Sequence, residues 1–181
     1  ALPDATVFVA TNDGYLHAID PDDGTELWSF IPEELLDRLY GLYLNEPSPA
    51  RSYGLDGEIR VYIDNNDGLP GIDAAGGERV LLYFGMRRGG DTVYALEVTD
   101  RNTPELLWKV SSADAGFENL GQTWSAPSIV KVDIGGTEKK VAIFGGGYDD
   151  GQDLAGFRTD TRGNAIYMVD AFTGDLLWSA G

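Results

Sequence analysis

A motif that recurs three times constrains this chain more than any other feature of its sequence. Three segments align: VFVATNDGYLHAIDPDDGTELWSF from Val7, LLYFGMRRGGDTVYALEVTDRNTPELLWKV from Leu81, and VAIFGGGYDD with NAIYMVDAFTGDLLWSA from Val141. Each reads as an apolar strand, a Gly-rich or polar connection, an alternating strand, a turn, and a strand carrying tryptophan. One further strand precedes the second and third copies, GEIRVYI (Gly57 to Ile63) and PSIVKVD (Pro127 to Asp133). Four strands per unit make the blade of a propeller. The sequence therefore predicts an all-β fold, part of a β-propeller with quinoprotein-like four-stranded blades. An incomplete blade spans 7–30, a connection with a short helix 31–54, a blade 55–110, a second connection 111–124 and a blade 125–180. Two complete blades and one incomplete fall short of the roughly four to eight that close a ring. The chain thus reads as a piece of a longer protein with open strand edges.

The turns leading into the tryptophans share a form. Asp20 to Trp28 and Asp170 to Trp178 both run Asp-x-x-[Thr/Asp]-Gly-x-x-x-Trp. The aspartate accepts backbone N–H groups across the turn, the glycine takes positive φ, and the ring is a large apolar anchor. Trp108 follows a longer turn, Thr99 to Glu105, that lacks the glycine. These motifs resemble the tryptophan-docking repeat of quinoprotein propellers, in which each ring packs between neighbouring blades. That resemblance raises a dehydrogenase with pyrroloquinoline quinone, but no vicinal cysteine pair and no second cofactor-floor segment accompany it.

Thirteen basic against thirty acidic residues give a net charge of −17. That excludes nucleic acid as a natural partner and favours divalent cations or basic surfaces. With no cysteine, disulfides and thiolate metal sites are unavailable. ALPDATVF at the start has no signal-peptide character, and no apolar run reaches the length of a spanning helix. In the first connection, IPEELLDRLYGLYL places Pro32 at a helix start, Glu33 and Glu34 in the first turn, and Leu35, Leu36 and Leu39 on one face. The single histidine, His17, lies between apolar neighbours and reads as structural. Ser29, Ser48, Ser52, Ser111 and Ser125 have neither a base nor a glycine elbow beside them, so nothing points to nucleophilic catalysis.

Two connections carry more oxygen than turns need. VYIDNNDGLPGID, Val61 to Asp73, sits in a hairpin of about fifteen residues where two to five suffice. Calcium takes about six to eight oxygens, from carboxylates and amides spaced around a glycine that allows a sharp turn. Asp64, Asn65, Asn66, Asp67 and Asp73 are the candidate ligands, with Glu78 in reach if the loop folds back. Without an ion, the loop would be a solvated acidic hairpin neutralised by Arg79. A second insert contains Asp149, Asp150 and Asp153, with Asp160 beyond, and is a further candidate metal site. It opens on the opposite end of the sheets, because successive hairpins of a meander alternate ends. There it joins Asn12, Asp13, Arg87, Arg88, Asp91, Trp124 and Tyr148, and arginine and tryptophan make that end the candidate partner surface. Arg88-Gly89-Gly90-Asp91 is one residue longer than the Arg-Gly-Asp tripeptide that integrins read, so no integrin contact follows.

Taken together, VATNDGYLHAID (Val9 to Asp20), LLYFGMRRGGDTVYALEVTD, GQTWSAPSIVKV (Gly121 to Val132), KKVAIFGGGYD (Lys139 to Asp149) and GNAIYMVDAFTGDLLWSAG resemble the C-terminal propeller of the PilC/PilY family. These are type IV pilus-associated factors. The resemblance implies a large secreted protein, found from the periplasm to the cell surface and associated with the pilus tip or outer membrane. It implies minor pilins or other pilus components as partners, with host or abiotic surfaces beyond them. Its implied role is pilus assembly, twitching motility and adhesion, with calcium held by a propeller loop opposing retraction. The alternative is a periplasmic propeller scaffold without a calcium switch. The family loop reads Asp-x-Asn-x-Asp-Gly, from which this chain departs. If Asp67 and Gly68 align, Asn65 and Asp67 take the middle places and Asp73 the later one, but Ile63 falls where the first ligand should be. In the other register Asp64 and Asn66 come first and Asp67 shifts outward.

Overall fold

The computed structural model describes residues 5–47 and 51–181. The first residues of the ALPDATVF stretch, and Ser48 within the connection, lie outside them. Three antiparallel meanders follow one another along the chain. The first has β1 (Val7–Ala10), β2 (Leu16–Ile19) and β3 (Glu26–Phe30). The second has β4 (Ile59–Asp64), β5 (Arg79–Gly85), β6 (Val93–Glu97) and β7 (Glu105–Val110). The third has β8 (Ser128–Ile134), β9 (Thr137–Gly145), β10 (Ile166–Asp170) and β11 (Leu176–Ala180). In every blade the third strand of the four-strand unit carries a register shift at the same place, Ala18/Ile19, Ala95/Leu96 and Met168/Val169. The repeat therefore extends to the irregularities.

The middle blade is packed on both faces. Along β5 side chains alternate: Leu81 and Tyr83 join a core with Ala142, Phe144 and Tyr167 of the third blade. Leu82 and Phe84 join a second core with Leu16, Leu35 and Leu55 toward the first blade. A strand with two buried faces reads as an unbroken apolar run, which is why LLYFG shows no polar alternation.

The tryptophans link each blade to the next, as the docking repeat implies. Trp28 Nε1 donates to the Arg101 carbonyl in the β6–β7 turn at 2.9 Å. Trp108 Nε1 donates to the Ala171 carbonyl in the β10–β11 turn at 2.8 Å. Trp178, on the last strand, is 50% exposed. The turn chemistry holds as well. Asp20 Oδ1 accepts from the Asp22 N–H and Asp170 Oδ1 from the Phe172 N–H, while Gly24 and Gly174 take φ of 77° and 76°.

The connection after β3 forms a 3-10 helix, Glu33–Arg38, running into α1 (Leu39–Leu44). Leu35, Leu36 and Leu39 do not share a buried face as expected: Leu35 alone is buried and Leu36 is exposed. A 3-10 turn stacks residues three apart, so Leu35 lies over Arg38 rather than beside Leu36 and Leu39. Glu34 ties this element to the middle blade by accepting from the Tyr94 hydroxyl and, at 3.0 Å, from Lys109 Nζ. Burial pushes the Glu34 carboxyl up, but the Tyr94 hydroxyl and Lys109 outweigh it and hold the group below its ordinary value.

Candidate functional site

Two loci bring the sequence-predicted residues together, one at each end of the sheets. The first is the β4–β5 loop, organised from inside by Glu78, which is 2% exposed. Its Oε1 accepts the N–H groups of Asn66 (2.9 Å) and Asp67 (3.3 Å), and its Oε2 that of Asp73 (2.9 Å). Bonds from the backbone of Asp73 and Asn66 favour the ionised carboxyl and lower its pKa. Further oxygens of the loop accept from its own backbone. Asn65 Oδ1 accepts from Gly68 N–H at 2.6 Å, Asp67 Oδ1 from Leu69 N–H at 2.8 Å and Asp73 Oδ1 from Gly76 N–H at 2.9 Å. Asn66 Nδ2 donates to the Gly76 carbonyl at 3.2 Å.

Asp64 stands apart, at the end of β4, in an ion pair with Lys140 of the third blade. Arg79 pairs in register with Asp64 across β4 and β5 but donates to no oxygen of the loop, because its guanidinium forks onto Glu97 of β6, Nε to Oε1 at 3.1 Å and Nη2 to Oε2. As arranged, one oxygen each of Asn65, Asp67 and Asp73 accepts a backbone N–H group and one of Asp64 pairs with Lys140, and among the described residues no three acidic or histidine side chains are gathered as a group that could hold a metal.

The second insert follows the same design. Asp149, nearly buried, accepts at Oδ1 from Gly151 N–H (2.9 Å) and at Oδ2 from Thr161 N–H (2.6 Å) and the Thr161 hydroxyl (3.0 Å). The N–H groups of Thr161 and Gly151 lower its pKa. It thereby closes the base of the insert. Asp153 accepts from the Tyr148 hydroxyl at 2.8 Å, Asp160 from Gln152 Nε2 at 2.7 Å, and Asp150 faces solvent in a short 3-10 turn. The candidate ligands Asp149, Asp150 and Asp153 thus have separate tasks.

The partner-surface residues do assemble. Thr123, buried, anchors the segment before β8 onto the β5–β6 loop. Its carbonyl accepts from Arg87 N–H at 3.1 Å, its Oγ1 from Met86 N–H at 2.8 Å, and its own N–H donates to the Gly90 carbonyl at 3.1 Å. Arg87 is held at φ 48°, a left-handed conformation, to make this bridge. Gln122 meanwhile bridges Tyr148 through two backbone bonds, 2.8 and 2.9 Å. These stitches bring Trp124 under the Arg87 guanidinium, 4.2 Å from the ring centre, with Arg88 at 5.6 Å and the Tyr148 ring edge-on at 6.3 Å. Asp91 lies to one side, accepting from the Ser112 hydroxyl. Sequence reading missed Thr123 and Tyr53, whose polar bridges join segments far apart in the chain and leave no local signature. His17, read as structural, contacts Glu26 Oε2 through Nδ1 at 2.5 Å.

No protein-family model matches the chain. A type IV pilus biogenesis factor PilY1 homologue of Xylella fastidiosa is 31% identical over 175 residues, 94% of this chain and 10% of the relative. A second such homologue from that organism is 35% identical over 129 residues, 71% of this chain. The crystal structure of the Pseudomonas aeruginosa PilY1 C-terminal domain superposes with a TM-score of 0.65 at 26% identity, covering 96% of this chain and 30% of that one. The chain therefore spans about a tenth of the length of these curated relatives and under a third of the solved domain. With its three meanders, its tryptophan links and these matches in view, the chain belongs to the PilY1 family of type IV pilus biogenesis factors, as a stretch of their propeller-like C-terminal domain.

Proposed function

We propose that this chain is a propeller segment of a pilus biogenesis factor, working by recognition rather than catalysis and meeting pilus components at the periplasmic or outer surface. The observation that carries this reading is the near end-to-end match, in sequence and in blade structure, to proteins named for pilus biogenesis. No helix among the described residues is long and apolar enough to cross a membrane. Deleting the three blades from the full-length protein in its own bacterium tests the reading. Loss of sheared surface pilin and of twitching zones is expected; normal piliation would overturn it.

Calcium modulation, retraction control, twitching motility and adhesion are the finer parts of the proposal, supported by the family resemblance and by the oxygen density of the β4–β5 loop. Calorimetric titration of chelator-stripped protein beside an Asp67→Ala, Asp73→Ala variant tests the calcium part. Asp64 is left intact because it pairs with Lys140. Saturable uptake lost in the variant supports calcium modulation; no uptake in wild type leaves the scaffold without a calcium switch.

A further inference from the structure

Among the described residues, Arg88 is an arginine without a counter-ion, in a chain of net charge −17. Its neighbour Arg87 is satisfied: Nη1 donates to the Asp56 carbonyl at 3.0 Å and lies 3.8 Å from the Asp56 carboxylate. Arg88 has no carboxylate partner among the described residues. Its guanidinium lies over Tyr53 at 5.3 Å and Trp124 at 5.6 Å from the ring centres, donating only to the Tyr53 hydroxyl at 3.4 Å. The pairs of Arg79 with Glu97 and Lys140 with Asp64 show how a cation here is neutralised where a carboxylate lies in reach.

The position of Arg88 is fixed by backbone rather than by charge. A Cβ on Gly89 would lie 1.9 Å from the Gly54 carbonyl oxygen, and one on Gly57 2.2 Å from that of Gly85. The glycines let the 51–58 segment and the β5–β6 loop lie in contact, which brings Tyr53 beside Arg88. Trp124 arrives from a third segment through Thr123. Three separate stretches of chain thus present one guanidinium, set over two aromatic rings and with most of its N–H donors unused, beside Trp124, which is 38% exposed.

We propose that Arg88, Trp124 and Tyr53 form a recognition site for a protein partner, taking one carboxylate of an acidic segment with an adjoining apolar or aromatic side chain. A planar guanidinium fits a carboxylate through two parallel bonds, and stacking on aromatic rings holds it ready at little entropic cost. The part of the indole left exposed beside Arg87 accepts the neighbouring apolar group. One guanidinium suits one carboxylate, whereas a polyanion such as nucleic acid needs a run of cations. The site stands on this geometry and does not depend on the pilus reading.

The test is a peptide array in which a central Asp or Glu is flanked by every combination of aromatic and aliphatic residues, probed with the purified protein and with Arg88→Gln, Arg88→Lys and Trp124→Ala variants. The best peptide is then titrated while the Trp124 indole N–H resonance is followed. Arg88 is exposed, so its variants retain the fold. The expected result is saturable binding that falls at least tenfold in Arg88→Gln and with the Asn or Gln form of the peptide, and falls less in Arg88→Lys. Three results would each overturn the proposal. They are an array on which wild type and Arg88→Gln behave alike, an amide peptide that binds as well as the acid, and inorganic phosphate that shifts the Trp124 resonance as strongly as the peptide. None of these depends on whether piliation is lost on deletion of the blades.

Discussion

Removing both donors to the Ala171 carbonyl should cost more than the sum of removing each. This carbonyl, in the β10–β11 turn, accepts from Trp108 Nε1 at 2.8 Å and from the Tyr83 hydroxyl at 2.9 Å. Both donors belong to the middle blade, and Ala171, Tyr83 and Trp108 are all buried. Tyr83→Phe deletes one neutral hydrogen bond while Trp108 still satisfies the oxygen, a loss of about 1 kcal/mol. Trp108→Phe deletes the other bond and leaves a void where the larger ring lay, a loss of roughly 2–3 kcal/mol. In the double variant no donor remains, and the buried carbonyl bears a desolvation penalty of about 1–3 kcal/mol that neither single variant shows. The packing loss at Trp108 is common to two corners of the cycle and cancels. Urea unfolding of the four proteins, extrapolated linearly to water, gives the coupling directly. For a chain of this length an excess of that size lowers Tm by a further ~2–10 °C. Additivity within about 0.5 kcal/mol would refute the reasoning, because it would mean that the oxygen finds water or another donor and that the two bonds do not jointly clasp the blades.

Two other perturbations follow from carboxylates with lowered pKa values. Glu34 is depressed below its ordinary 4.5 on folding, so its contribution is present above that pH and disappears as pH falls through the folded value. Glu34→Gln should therefore flatten the loss of stability on acidification below pH 4.5 while lowering stability at neutral pH, measured as Tm against pH in both proteins. Glu78→Gln retains only one acceptor oxygen for three backbone N–H groups, and the amides of Asn66, Asp67 and Asp73 should then exchange at least tenfold faster, with the amides of β5 and β6 unchanged. Equal protection of the loop in the variant would show that Glu78 does not order it.

Local pattern made the blades legible. Strand alternation, the Asp-to-Gly turns and the tryptophans obey rules that act within about ten residues, and three copies of one pattern corrected each other's ambiguities. The loops were legible only as composition. An acidic stretch such as Asp64 to Asp73 announces its oxygens but not where they point, since that depends on which N–H groups the folded loop presents. Glu78 shows the difficulty: the sequence puts it in reach if the loop folds back, but nothing local says that its carboxylate meets the N–H groups of Asn66, Asp67 and Asp73. Lys140 is 76 positions from Asp64, so no spacing could have paired them. Counting hairpins places Arg87, Arg88, Trp124 and Tyr148 at one end of the sheets. The stacking among them depends on Thr123, an unremarkable threonine whose bonds cross three segments.

The tryptophan links also set an order in which the molecule should open. The middle sheet is gripped on both faces, with Trp28 clasping its β6–β7 turn and Trp108 reaching from its own last strand to the next blade. Amides of β5 and β6 should therefore exchange with solvent only after both links have opened. A sheet fastened from either side in this way keeps its slowest protons at its centre, between the two tryptophan clasps.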